Sequence, residues 1–249
     1  MKSFRYFLIA AVVASGPALA QSPASSNGPN FAMATQASIN TAPGRADAVL
    51  ALQAFTGAVQ AGQAHAAFAS HGSHHNHVPL LRRAMPAGFP LAVNDLADLQ
   101  QARIGWGFAV YNIDPRSLLA GKNLDASARP TREWRYAILL QGKPVGLVTM
   151  LHTATGWKAV SFGGAGLSAD LGTQLARYGR QSGAQLRFVR VPQAGADFIE
   201  VKRGTAIPSF VPLAAARASL HLDTASPRSG AELVSSLRQA VQASLAVTH

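Results

Sequence analysis

Five of the eight histidines in this chain fall within one short run: His65, His71, His74, His75 and His77. Neutral imidazoles at such density can ligate zinc, nickel or copper, and His71, His74, His75 and His77 form the candidate metal site. A structural zinc site wants four fixed ligands held by a second shell, and neither cysteine nor carboxylate accompanies this run. No H-E-x-x-H motif is present. The competing reading is a solvated polar linker that holds metal loosely.

Gly164-Ala165-Gly166-Leu167-Ser168-Ala169 matches the G-x-G-x-x-A form of the dinucleotide fingerprint, and it lies between an expected strand and an expected helix. The strands before it are joined by tight hairpins, which makes the sheet antiparallel rather than doubly wound. No acid follows the next strand to take ribose hydroxyls, since Val191 leads into Pro192 and Gln193. Only the helix N-terminus remains as an anion cradle. For nucleophilic hydrolysis there is no G-x-S-x-G elbow. A hydrolase would need a serine or aspartate gathered with His152 or His221 in one cleft. Ser161, between Val160 and Phe162, follows strand alternation. Asp114, Asp170, Asp197, Glu133 and Glu200 have ready work as caps or ion-pair partners, and no two show glycosidase-dyad spacing. No catalytic or cofactor-binding residue is assigned. Trp106, Trp134 and Trp157 read as core packing, with a glycan or peptide face as the alternative.

The elements that would position these residues centre on Arg135 to Val191. Three apolar, β-rich runs, Arg135 to Gln141, Val145 to His152 and Trp157 to Phe162, are separated by turn formers at Gly142-Lys143-Pro144 and Thr153 to Gly156. Alternation in the first run predicts one apolar face and one mixed face, as in a sheet covered on one side. A helix follows with Ser168 as N-cap, its stripe made by Leu167, Leu171, Leu175 and Tyr178, and its end at Gly183. Leu186 to Val191 and Asp197 to Lys202 read as a further hairpin, with Arg190 facing Glu200. Upstream, Asp95 to Arg103 predicts a short helix with Leu96 and Leu99 inward. Ile104 to Ile113 predicts a strand with a bulge or close approach at Gly105 and Gly107. Asp114 then Pro115 reads as N-cap and N1. Ser229 to Glu232 reads as a capping box for a C-terminal helix through Leu245.

The resulting fold class is α+β: a mostly antiparallel sheet, with hairpins around 135–162 and 186–202, packed by two or three helices. Four segments are expected. Residues 1–20 form a signal peptide, with Lys2 and Arg5 basic, Phe7 to Val13 apolar, and Ala18-Leu19-Ala20 for cleavage. Residues 21–44 form a disordered leader. Residues 45–91 carry a peripheral alanine-rich helix, interrupted or weakened at Gly57 and Gly62, and the histidine- and proline-rich linker. Residues 92–249 form the α+β domain.

The chain has 22 Lys and Arg against 11 Asp and Glu, and no cysteine. Disulfides and lipid acylation on a thiol are excluded, and no stretch is long enough for a transmembrane anchor. The arginines are scattered and not interleaved with aromatics, which excludes sequence-specific nucleic-acid reading and leaves a diffuse attraction to anionic partners. The expectation is a periplasmic or secreted binding module, non-enzymatic, contacting a protein or an anionic envelope polymer. A periplasmic metal-binding protein, and after it a hydrolase with an unrecognised site, are the alternatives.

Overall fold

Turn chemistry explains how the sheet begins. Gln141 and Gly142 both take positive φ, 50° and 78°, the pattern of a two-residue hairpin whose twist matches its strands. Lys143 and Pro144 therefore belong to the next strand rather than to the turn. The computed structural model describes residues 42–69, 84–179 and 184–247, with the side chains of 64–69 excepted. The expected signal peptide, the leader up to residue 41 and His71, His74, His75 and His77 lie outside the described residues, as does the side chain of His65.

In chain order the elements are α1 (Arg45–Ala69), α2 (Leu96–Gln101), β1 (Arg103–Ile113), α3 (Pro115–Leu119), α4 (Leu124–Ser127), β2 (Ala128–Leu140), β3 (Lys143–Thr153), β4 (Gly156–Gly163), α5 (Ala165–Tyr178), β5 (Ala184–Val191), β6 (Ala196–Arg203), β7 (Ser209–Pro212), α6 (Ala214–Ser219), β8 (Arg228–Ser229) and α7 (Gly230–Val247). One eight-stranded sheet runs β4-β3-β2-β1-β5-β6-β7-β8. Every neighbouring pair is antiparallel except the central β1 and β5, which join two meanders in parallel. The α+β class and the mostly antiparallel sheet stand.

The sheet is covered on both faces, not on one. Tyr136, Ile138, Val148 and Met150 pack under Ala48 and Leu52 of α1 and under Leu96 and Leu99 of α2. Their strand neighbours Ala137 and Leu147 point the other way, toward Leu171 and Tyr178 of α5. Val189, Phe198 and Phe210 pack against Leu233, Leu237 and Val241 of α7. Hence α5 and α7 cover opposite faces, and Phe188 and Phe198, both buried, belong to different clusters. The expectation of one covered face failed because Ala137 and Leu139 are small or apolar enough to serve a second core.

The helix α1 is not peripheral: Ala48 is fully buried and Leu52 is 6 % exposed. Nor do Gly57 and Gly62 break it. Around α5, Asp170 accepts a hydrogen bond from the Ala214 backbone N–H beyond β7 (2.6 Å), while Gly172 abuts Pro144 of β3. In a flat sheet β3 and β7 stand five spacings apart, about 24 Å. One helix about 10–12 Å across bridges that gap only if the sheet curls around it.

Several local expectations hold and two shift. The short helix expected from Asp95 to Arg103 forms as α2 over Leu96–Gln101, with Asp95 outside it as the cap accepting from the Asp98 N–H. Asp114 caps α3 with Pro115 at its start, as expected. Ser229 and Glu232 form the reciprocal capping box. Ser168, expected as an N-cap, is buried inside α5 and donates to the Ala165 carbonyl; left-handed Gly164 stands at the cap instead. Arg190 does not face Glu200. The register pairs it with Asp197 (3.0 Å) and gives Glu200 to Arg187.

Candidate functional site

The bulge expected at Gly105 and Gly107 starts the site. A register shift between Ile104 and Gly107 interrupts the β1–β2 ladder. The Arg45 guanidinium, at the first turn of α1, donates to the carbonyls of both Ile104 and Gly105. A side chain at Gly107 would collide with the Tyr136 ring, whose hydroxyl donates to the Pro43 carbonyl. Burial pushes the Tyr136 hydroxyl far above the ordinary tyrosine range. These contacts clamp the start of α1 onto the sheet.

Beside the clamp, α1 and the α2–β1 segment line an open cleft of about 730 Å³. Its floor is Leu52, Leu99, Ala102 and Ile104. Its polar groups are Arg45, Gln53, Thr56, Gln60, Gln100 and Arg103. The α1 contributors recur at positions 45, 49, 52, 53, 56, 57 and 60, one stripe of the helix. One weak amide bridge, Gln100 to Gln60 at 3.5 Å, crosses the cleft. Among the described residues, Arg103 donates through Nη1 to the carbonyls of Gln100 and Ala102. Gln53 is exposed on the rim.

A second ionic cluster lies over the central strands. Arg187 binds Glu200 across the β5–β6 ladder, reaches Asp125 of α4 at 2.6 Å, and lies over the Tyr111 ring with 4.8 Å to its centroid. Glu200 is only 3 % exposed, and burial outweighs Arg187 to push its carboxyl upward. Burial likewise raises the Tyr111 hydroxyl. This cluster is an internally satisfied tie between α4 and the sheet.

The carboxylates are largely spent on structure. Asp95, Asp114 and Glu232 cap helices, Asp170 holds the start of α6, and Glu133, Asp125, Asp197 and Glu200 are ion-paired. His152 on β3 lies 4.9 Å, centroid to centroid, from Trp157, whereas His221 follows α6 in the other half of the sheet. Ser161 is exposed on edge strand β4. The glycine-rich corner after β4 leads into α5, but β5 then pairs with β1 rather than beside β4, so no β-α-β unit forms. Trp134 and Trp157 are half-buried against the α1 core, and Trp106 packs near Phe108. Among the described residues no group of three or more His, Cys, Asp or Glu could hold a metal, and no helix is long and apolar enough to cross a membrane.

Sequence reasoning missed the cleft. Its signal was the modest amphipathicity of α1, which arises because one stripe enters the core and an adjacent stripe lines a polar opening. Comparison of the chain with protein-family models, with curated proteins and with solved structures finds no match.

Proposed function

We propose that this chain is an exported, non-enzymatic binding module whose cleft between α1 and β1 engages an anionic partner, a protein segment or an acidic envelope polymer. One observation carries the reading. Among the twelve described residues lining the cleft the only ionisable ones are Arg45 and Arg103. Arginine stays charged at any physiological pH, so the cleft offers positive potential and amide hydrogen bonds but no group to exchange a proton. The alternative surface, edge strand β4, carries a register irregularity opposite Thr149 and Met150 and an exposed Lys158, devices that discourage strand addition.

The test is retention of the mature protein on dextran sulfate against neutral dextran. Retention on the anionic matrix should fall with salt, as expected for an exposed charged site. It should also weaken for Arg103→Ala. Equal retention on both matrices would remove the support. Metal binding by His71, His74, His75 and His77 rests on their spacing alone. Zinc titration giving affinity weaker than about micromolar would leave it without a basis.

A further inference from the structure

We infer that the cleft receives an extended, acidic peptide segment of a partner protein. The inference rests on the binding reading above and chooses between its two ligand classes. Three features of the lining point to a peptide. First, the carboxamides of Gln53, Gln60 and Gln100 edge the cleft, and a carboxamide presents the same donor and acceptor as a peptide group. Second, no aromatic ring lines it, so neither a base nor a sugar face finds a stacking surface. Third, the α1 stripe from Arg45 to Gln60 is roughly 22 Å long at the helical rise, the span of about six or seven extended residues.

The charge and the wall refine the choice. Two arginines and no acid line the cleft, which favours carboxylate side chains on the guest. One turn from the Gln60 end of the helical wall sits Gly57, and a Cβ built there meets nothing within 4 Å. Glycine inside a helix weakens it relative to alanine, and no packing among the described residues requires it at this position. Its absent side chain lets another backbone approach the wall closely.

The experiment is fluorescence anisotropy of the full mature protein with a labelled heptapeptide alternating glutamate and valine, its lysine counterpart, and dextran sulfate as competitor. The glutamate peptide should bind and the lysine peptide should not. Gly57→Leu, which fills the opening, should weaken binding about tenfold or more. Gly57→Ala, which puts only a methyl group at the close approach, should weaken binding about three- to fivefold, less than Gly57→Leu. Arg103→Ala should cost about two- to fivefold, as for an exposed ion pair. Gln53→Glu, on the exposed rim, should weaken binding by repulsion while leaving the melting temperature unchanged, and so covers a misfolded Gly57→Leu. Equal binding of both peptides, or wild-type binding by Gly57→Leu and Gln53→Glu together, overturns the inference. Binding of dextran sulfate that Gly57→Leu abolishes, without peptide binding, overturns it and leaves the anionic-partner reading standing. If neither probe binds, both fall.

Discussion

Gly107 shows how one absent atom decides packing. A Cβ there would sit 2.4 Å from Tyr136 Cε1, inside a fully buried ring. Gly107→Ala should therefore destabilise the protein by about 1–3 kcal/mol, read from chemical denaturation, because the ring has no room to retreat. An unchanged midpoint would mean that Tyr136 moves freely. Two carboxyls should respond to pH with opposite sign. The Ser229 hydroxyl and backbone N–H hold Glu232 below its ordinary value of 4.5. Its contribution is present above 4.5 and lost as pH falls through the lowered folded value. Wild type and Glu232→Gln should accordingly converge on acidification. Burial raises Glu200, so its proton binds more tightly in the folded state, and that contribution is lost as pH rises from 4.5 through the raised value. Replacing it by Gln should remove that loss, and a parallel pH profile for the two proteins would refute the assignment.

At the scale of elements, ion pairs decide how α4 and the β5–β6 hairpin are held together. Arg187 is the hub, and its removal leaves Glu200 buried without its cation. Arg187→Met should cost about 3 kcal/mol, the usual penalty for stranding a buried charge. Adding Glu200→Gln should recover part of that loss, and strict additivity of the two changes would show that they do not interact. The hairpin itself was legible because Pro192 to Ala196 is a short reversal between β-rich runs. Its ion pairing was not. Arg190 against Glu200 and Arg187 against Glu200 are both plausible from alternation, and only the register pairing Val191 with Ala196 separates them.

For the whole molecule, the main correction concerns α1. Its alanines and two glycines read as a weak helix outside the domain, yet Ala48 and Leu52 close the core over Tyr136 and Ile138. Leu52→Ala should destabilise the entire protein by about 2–5 kcal/mol with one cooperative transition. A separate early transition, with the main melt unmoved, would return α1 to the periphery.

What the sequence determined by itself was local. Strand and helix identities, the hairpins and the caps at Asp114 and Ser229–Glu232 follow from periodicity and turn chemistry within a few residues. The β1 bulge was visible in Gly105 and Gly107 for the same reason. Tertiary structure alone decided the rest. It set the parallel join of β1 to β5, the burial of both sheet faces and the cleft between α1 and β1. Each depends on contacts between residues far apart in the chain, where many pairings satisfy the same local pattern. Arg45 could reach the carbonyls of Ile104 and Gly105 only after the sheet had brought a bulge to meet it.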